Sequence, residues 1–500
     1  MSAERRVVVV GGGLAGITAA LDCAAAGARV TLVEVRRRLG GAAYSFERDG
    51  LQLDNGQHVF LRCCVAYRAL LRRLGSEHLV SLQPRLEIPV LKPGAEPVIL
   101  RRGSLPAPLH LAGALARYRH LTVAQRVGAA RAALGLMRLG RSASSRRELE
   151  RDRLTFGEWL ARHGQGPDAV SALWDLIALP TLNLRAAQAS LALSAFVFRV
   201  GLLSSAGAGD IGFHSATLAE TIGTPAERAL REAGVEVKLG WRAERLQRTA
   251  GGLEVHGRTG ASAADRAPGE DPPAGPGPAG RGTQELTAAA TILAVPHARA
   301  ATLLEPLLGD VSRRLGALQG SPIVNLHVIY DRPVLSDSFA AGVGTPVQYL
   351  FDRTAAAGAP RGSQYLAVSL SGAAEEMKMS VDALRERFLP ALRDLLPRAR
   401  QAKVERFLVT REHAATFRAA PGVAALRPGP ETAQPGLLLA GAWTATGWPA
   451  TLESAVLSGH AAAAAALRVL GVDGAGAGRP GAEALAAMAA SASSSTGAAR

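Results

Sequence analysis

The hydrophobic pattern of this 500-residue chain is clearest near its N-terminus. Four valines at 7–10 lead into a glycine-rich turn, an Ala-rich stretch follows, and a second apolar run at 30–33 ends on Glu34. Each apolar run has the length of a buried strand, and the stretch between them has the length of a helix that connects two parallel strands. The pattern therefore predicts a βαβ unit.

Later apolar runs predict further elements. Helices are predicted at 226–233, 380–400 and 451–467, and strands at 235–239, 291–295, 320–334, 365–370 and 437–440. Two stretches break the pattern. Residues 259–283 are rich in Pro and Gly and too polar for a core, and residues 471–500 consist largely of Ala, Ser and Gly. We predict a flexible loop for the first and a disordered tail for the second.

Composition and cysteine content narrow the class of protein. Ala, Gly, Leu and Arg dominate, and the three cysteines, Cys23, Cys63 and Cys64, have no metal-binding spacing. Such cysteine usage predicts a reduced, cytoplasmic setting and no metal site. Residues 1–6 are too short and too charged for a signal peptide, and no apolar run of about 18 residues predicts a membrane-spanning helix.

The net charge of +15 is concentrated in a helical stretch. Between 117 and 153, arginines far outnumber the three acidic residues, and apolar residues are interleaved with them. A basic amphipathic segment can lie on an anionic membrane surface, and a solvated arginine face would give the same pattern. Both interpretations stay open here. Nucleic acid is excluded as a partner, because no recognition motif or stacking aromatics accompany the charge.

The glycines of the N-terminal unit predict a dinucleotide site. Gly11, Gly13 and Gly16 stand in the order that allows a tight turn, a close approach of a pyrophosphate and close packing of the helix on the sheet. The N–H groups of the first helical residues, Leu14 and Ala15, face the phosphates. Glu34 follows about 20 residues later, where a carboxylate accepts hydrogen bonds from a ribose.

Two polar segments follow the second strand. The spacing from Glu34 to a pair of glycines predicts a loop that runs alongside an extended cofactor, with candidate contacts at Arg36, Gly40, Gly41 and Ala42. The sequence DNGQH at 54–58 then predicts a tight hairpin turn at Asn-Gly, with Gln57 and His58 near the reactive ring of the cofactor.

A second helix start near the C-terminus decides between FAD and NAD. Strand 437–440 runs into Gly441, and Thr446 and Thr451 bring hydroxyl groups to the start of the last predicted helix. Two phosphate-type helix starts far apart in one chain favour FAD.

The series GGGLAG, LVE, RLGGAAYSF and LDNGQHVF resembles the flavin amine oxidase and phytoene desaturase superfamily. Within it the chain is most similar to the hydroxysqualene dehydroxylases, which are FAD-dependent enzymes of hopanoid pathways. The blocks at 172–190, 293–304, 321–334 and 437–459 agree in order, and the resemblance covers about residues 5–470.

The resemblance implies an α/β fold. It combines an FAD-binding, Rossmann-like domain of the glutathione-reductase type, assembled from segments 1–75, 205–300 and 405–470, with a substrate domain of mixed sheet and helices at 76–204 and 301–404. It places Ala243 against the adenine, and Leu452 and Glu453 beside the ribityl chain and ring. Ala442 replaces the Asp usual after Gly441, which implies weaker FAD binding. No Cys follows Cys64, so the flavin is expected to be non-covalent.

The implied reaction is the reductive removal of a hydroxyl group from hydroxysqualene, giving squalene by hydride transfer from reduced flavin. A long isoprenoid lipid is the implied substrate, and other squalene-pathway enzymes are possible partners. His58 is the candidate proton donor to the hydroxyl group, with His214 second. Alternatively, His58 holds the loop or the cofactor by a hydrogen bond. Residues 187–203, with Phe196, Phe198 and Val200, could wall the oily cavity or form an ordinary buried helix.

Other functions fit the same scaffold. A carotenoid desaturase or isomerase would run the flavin chemistry in the oxidative direction. An amine oxidase is disfavoured, because such sites usually need an aromatic cage and aromatics are 4% of this chain. A non-enzymatic, lipid-binding flavoprotein is the third alternative. The expected location is cytoplasmic, with peripheral contact at the inner face of the membrane.

Overall fold

The computed structural model describes residues 5–139, 145–249, 252–260 and 284–472. Its strands, in chain order, are β1 (Arg6–Val10), β2 (Arg29–Glu34), β3 (Ser45–Arg48), β4 (Leu51–Asp54), β5 (Phe60–Leu61), β6 (Val80–Leu82), β7 (Glu87–Leu91), β8 (Val98–Arg101), β9 (Ile211–His214), β10 (Glu236–Leu239), β11 (Trp241–Thr249), β12 (Gly252–Thr259), β13 (Gln284–Ala288), β14 (Ala290–Leu293), β15 (Gly320–Tyr330), β16 (Phe339–Gly342), β17 (Tyr349–Asp352), β18 (Gln364–Ser371), β19 (Val404–Phe417) and β20 (Leu437–Leu439).

The α-helices are α1 (Leu14–Ala25), α2 (Val65–Leu74), α3 (Ala112–Arg117), α4 (Val123–Arg138), α5 (Ser145–Asp152), α6 (Phe156–Arg162), α7 (Pro167–Ala169), α8 (Asp175–Leu182), α9 (Leu191–Phe198), α10 (Thr224–Glu232), α11 (His297–Leu304), α12 (Gly309–Ala317), α13 (Val381–Leu395) and α14 (Leu452–Val469). None of these helices is long and apolar enough to cross a bilayer.

Five parallel strands form a sheet in the order β10-β2-β1-β14-β20. The four valines of β1 are buried, as expected for a central strand that is covered on both faces. Helices α1 and α14 pack against one another, and a Cβ at Gly459 would lie 2.4 Å from the carbonyl oxygen of Ala15. This sheet with its helices confirms the predicted α/β fold with a Rossmann-like domain.

A second, mixed sheet has seven strands in the order β19-β15-β18-β17-β16-β7-β8. Helix α13 packs on it through Leu384, Phe388 and Leu392. Strand β19 pairs along the length of β15, so residues 405–417 belong to this sheet. The predicted return to the cofactor domain at residue 405 is therefore too early, because an alternating strand of either sheet looks the same in sequence.

The hairpin prediction at 54–58 is wrong. Strands β3 and β4 pair with their turn at Asp49 and Gly50, whereas β5 pairs with β9. Asn55 is instead buried, with its side chain bonded to backbone and to Glu412. Both dipeptides, Asp-Gly and Asn-Gly, are hairpin signals, and the alternation of the flanking runs did not separate them.

Residues 112–203 supply most of a helical layer. Phe198 on α9 packs among Phe156 and Trp174, with ring centroids 5.4 and 5.1 Å away. Of the two alternatives for 187–203, the contacts of Phe198 therefore favour the ordinary buried helix. The predicted loop at 259–283 and tail at 471–500 lie almost entirely outside the described residues.

Candidate functional site

The first glycine-rich turn and the loop that follows β2 touch one another. Gly11 has a φ of +115°, and a Cβ there would lie 2.3 Å from the carbonyl oxygen of Ala294. Gly40 N donates to the Gly12 carbonyl, and a Cβ on Gly41 would lie 2.7 Å from the Cα of Gly13. The two segments that were predicted to bind the cofactor thus form one cradle of bare backbone.

Glu34 ends β2 inside this cradle. Its side chain is buried, and its two carboxylate oxygens accept hydrogen bonds from Gly12 N at 2.6 Å and from Arg36 N at 2.9 Å. The Arg36 guanidinium donates to the Gly41 carbonyl at 3.2 Å. The carboxylate is therefore held rigidly, with lone pairs that remain for a ribose diol.

Arg38 is a residue that the sequence analysis did not single out. Its guanidinium lies 3.5 Å from the ring centroid of Tyr44, and burial lowers the pKa of Arg38 to about 10. One of its buried terminal nitrogens has no hydrogen-bond partner among the described residues. A buried donor of this kind is suited to an anionic or carbonyl group of a cofactor.

The second helix start lies at the same edge of the parallel sheet. Strands β1 and β20 are separated by β14 alone, so their carboxyl ends are roughly 10 Å apart. Thr451 caps α14 by accepting from Ser454 N at 3.1 Å, and the hydroxyl groups of Thr446 and Ser454 lie 2.7 Å apart. Gly441 N donates to Ser458. The two starts converge, as one extended dinucleotide requires.

The structure corrects the role expected of Glu453. Its side chain is 2% exposed, and its oxygens accept from Ala66 N at 3.0 Å and Tyr67 N at 2.7 Å at the start of α2. The carboxylate is thus committed to another helix and is not free for the cofactor. The Leu452 side chain is partly buried and packs against the core beneath α14.

The adenine position stays a prediction. Ala243 lies buried on β11, which follows β10 directly and packs against β2. Its carbonyl oxygen accepts from Arg299 at 2.6 Å. Ala42, in the loop after Gly41, uses its carbonyl to accept from Asn55 at 2.9 Å.

A buried arginine, Arg427, holds the loop between Gly441 and α14. It donates to several carbonyl oxygens of this loop, those of Ala442, Trp443, Thr444 and Trp448. Burial lowers its pKa to about 10. No sequence signal could have found it, because most of its acceptors are backbone atoms. Ala442, which stands in place of the usual Asp, still helps to hold this loop, because its carbonyl oxygen accepts a hydrogen bond from Arg427.

The loop that carries Gln57 and His58 is held by the seven-stranded sheet. The Asn55 carbonyl accepts from Asn325 Nδ2 on β15 at 2.9 Å and from Thr410 Oγ1 on β19 at 3.2 Å. Gln57 Nε2 is buried and has no partner among the described residues. Together with the glycine cradle and Arg38, this unpaired amide fits a site that is completed by a bound cofactor.

His58 lines a cavity of about 690 Å³. Phe213, Leu218 and Phe351 add apolar surface to a lining in which most residues are polar, and no lining residue comes from 187–203. Burial lowers the pKa of His58 to about 4, although Glu412 opposes the shift. His58 is therefore neutral near pH 7, which argues against an imidazolium as the proton donor.

His214 lines the same cavity and is fixed in one tautomer. Thr221 donates its hydroxyl hydrogen to the Thr217 carbonyl, so it accepts from His214 Nδ1 at 3.1 Å. His214 Nε2 then accepts from the hydroxyl of Tyr67 at 3.1 Å. Burial lowers the pKa of His214 to about 3. With both ring nitrogens in use, His214 serves the packing of the cavity wall.

Comparison with known proteins agrees with this geometry. The family model described as flavin containing amine oxidoreductase matches residues 14–467. A hydroxysqualene dehydroxylase from Rhodopseudomonas palustris is 29% identical over 92% of this chain and 98% of the relative. Another, from Sinorhizobium fredii, is 37% identical over 36% of this chain and 38% of the relative.

Two further matches differ in reach. A zeta-carotene desaturase from Zea mays is 27% identical over 34% of this chain and 31% of the relative. A solved putrescine oxidase bound to putrescine superposes with a TM-score of 0.67 at 18% identity, covering 92% of this chain and 98% of that one. At this identity the superposition shows a shared fold alone.

Proposed function

The chain belongs to the flavin-containing amine oxidoreductase family and is an FAD-dependent oxidoreductase, and from this premise we propose that it removes the hydroxyl group of hydroxysqualene reductively to give squalene. The observation that carries the proposal is how much of both chains one comparison covers. The Rhodopseudomonas palustris relative, whose name states this activity, matches almost from end to end.

FAD would be held by the two helix starts and the loops that lie between them. The residues in question are Gly11, Gly13, Leu14, Ala15, Gly16, Glu34, Arg36, Gly40, Gly41, Ala42, Gln57, Gly441, Thr446, Thr451 and Leu452. When it is bound in its reduced form, FAD supplies the hydride that replaces the hydroxyl group.

The residues of the chain position the substrate. Phe213, Leu218 and Phe351 give part of the cavity beside His58 an apolar surface, which an isoprenoid chain can contact. Neutral His58 donates a hydrogen bond to the departing hydroxyl group, which leaves as water after it gains a proton from solvent. This role needs no imidazolium, in keeping with the lowered pKa of His58.

A carotenoid desaturase is the second candidate, because zeta-carotene desaturases match about a third of the chain. The two functions differ in the direction of electron flow. Dithionite-reduced holoprotein mixed with hydroxysqualene in the absence of oxygen should regain the oxidised flavin spectrum, and squalene should form in equal amount. Oxidised holoprotein given zeta-carotene and a quinone is the opposing assay.

His58→Ala protein is the variant to include in the first assay. It should keep bound FAD, and squalene formation should slow by about 10²-fold or less. Reoxidation without squalene, or turnover of zeta-carotene alone, would contradict the proposed dehydroxylation.

A further inference from the structure

Helix α4 shows an apolar stripe to solvent. The helix begins at a capping box formed by Thr122 and Gln125. Along its outer side Val123 is 68% exposed, Val127 47%, Leu134 49% and Met137 37%. These four residues, which we call the outer stripe, repeat at helical spacing and so lie along one face.

The opposite face of α4 already supplies the contacts with the protein core. Ala129, Ala132 and Leu136 are buried there, and a Cβ at Gly135 would lie 3.1 Å from the ring of Trp159. A helix at the surface of a water-soluble domain normally places polar residues on its outer side. The outer stripe is therefore an apolar face in excess of what the fold needs, and such faces mark interaction surfaces.

The charge around the outer stripe has one sign. No acidic residue occurs between 97 and 147. Arg117, Arg119, Arg131 and Arg138 are exposed on α3, α4 and the segment that joins them, and none of them forms an ion pair with another described residue. A purely apolar partner would leave these cations unused.

We propose that the outer stripe of α4 and its arginines dock on the surface of an anionic lipid bilayer, with the helix lying in the plane of the interface. Apolar side chains on one side and a cationic border are the two features by which an interfacial helix binds such a surface. This surface resolves the two interpretations of the basic stretch in favour of the membrane, because a merely solvated arginine face would not carry exposed Val, Leu and Met.

The outer stripe lies on the helical layer that reaches the loop between Gly441 and α14. Helix α4 packs against the π-helical turn Arg199–Leu203, which directly follows α9. On α9, the ring of Phe196 lies 5.0 Å from that of Trp448, in the loop before α14. One layer of helices thus separates the proposed membrane contact from the flavin end of the site. Bilayer binding itself does not depend on which lipid is the substrate.

Vesicle flotation with the full-length holoprotein tests the proposal. Vesicles of phosphatidylcholine alone and of phosphatidylcholine with about a third phosphatidylglycerol are the two probes. The protein should float with the anionic vesicles, and raising the salt from about 0.1 to 0.5 M should weaken binding, because the arginine contribution is screened.

Two variants separate the contributions, each with a matched control. Val127→Ser/Leu134→Ser and Arg131→Glu/Arg138→Glu should each lower the partition coefficient at least about tenfold. Val381→Ser/Val469→Ser and Arg29→Glu/Arg385→Glu change exposed residues elsewhere and should bind more tightly than their test partners by the same factor. Flavin absorbance and circular dichroism report whether each variant is folded.

Three outcomes would overturn the proposal. The wild-type protein fails to float with anionic vesicles, or the test variants float as well as their controls. In the third, sedimentation velocity shows a dimer that the serine variant abolishes while vesicle binding is absent, which would assign the outer stripe to a second copy of the chain.

Discussion

At the scale of single residues, Glu34 links the two backbone segments that form the cradle. Its carboxylate fixes both the first glycine turn and the loop after β2, through Gly12 N and Arg36 N. Hydrogen bonds from backbone N–H groups to a buried carboxylate are stronger than those between neutral groups. The cradle and the predicted ribose contact therefore depend on the same side chain.

Replacing Glu34 with Ala should weaken FAD binding by at least about tenfold, because the N–H groups of Gly12 and Arg36 lose their acceptor and the ribose loses its own. The dissociation constant follows from flavin fluorescence during titration of the apoprotein. Glu236→Ala, which removes a carboxylate from neighbouring β10, should leave FAD affinity near that of the wild type. Equal affinity in both variants would contradict the assignment of Glu34.

Functional residues could be predicted where a motif fixes their spacing. They could not be predicted where their role is to donate a hydrogen bond to a backbone carbonyl far away in sequence. Gly11 and Glu34 could be identified because the βαβ unit fixes their separation, and Gly41 because of its spacing from Glu34. Arg427 and Asn325 could not, since each donates to backbone oxygens, and Asn325 and its acceptor Asn55 lie 270 positions apart in sequence. Any sequence of similar polarity would look the same at those positions.

At the scale of elements, α2 begins without a cap of its own. Cys64 stands at the position before the helix and makes no side-chain hydrogen bond to it. Glu453 of α14 supplies the missing acceptor, so the start of one helix is completed by the side chain of another.

Glu453→Ala should lower the free energy of unfolding by about 1–3 kcal/mol, because Ala66 N and Tyr67 N would then be buried without an acceptor. Urea unfolding followed by circular dichroism measures the change. Glu431→Ala is the control, since that carboxylate forms an exposed ion pair and should change stability by less than about 1 kcal/mol. A Glu453 variant as stable as this control would be the contrary result.

Helices and strands with a clear hydrophobic pattern could be predicted from the sequence. The strands with which they pair could not. Apolar runs located β1, β2 and α14 closely. The hairpin was predicted at Asn55-Gly56 and lies at Asp49-Gly50. The predicted domain boundary at residue 405 assigned β19 to the wrong domain. In both cases strand pairing is decided by contacts that a local sequence pattern does not contain.

At the scale of the whole molecule, buried histidines couple stability to pH. Burial lowers the pKa of His58 to about 4 and those of His214 and His327 to about 3. In the unfolded chain a histidine titrates near about 6.5. Between these values the unfolded state binds more protons than the folded state, so acid favours unfolding.

The urea midpoint should therefore fall as the pH drops from about 6.5 to about 4, and these three groups should have no effect on it above about 7. In His214→Gln the slope of stability against pH should decrease by about one proton, since one buried base is gone. His78→Gln alters an exposed histidine and should keep the wild-type slope. An unchanged slope in His214→Gln would show that His214 takes up its proton while folded.

The contact between Asn325, Thr410 and the Asn55 carbonyl has a consequence for how the two sheets work together. The larger sheet borders the cavity. The loop that Asn325 and Thr410 of this sheet hold carries Gln57 and His58, the side chains expected beside the flavin. Phe351 and Asp352 of β17 line the cavity, and β17 is joined through β18 to β15, so a molecule that displaces β17 can also move this loop. If FAD lies beside Gln57 and His58 as proposed, filling the cavity should change the surroundings of the flavin, and we expect its visible absorbance to shift when substrate binds.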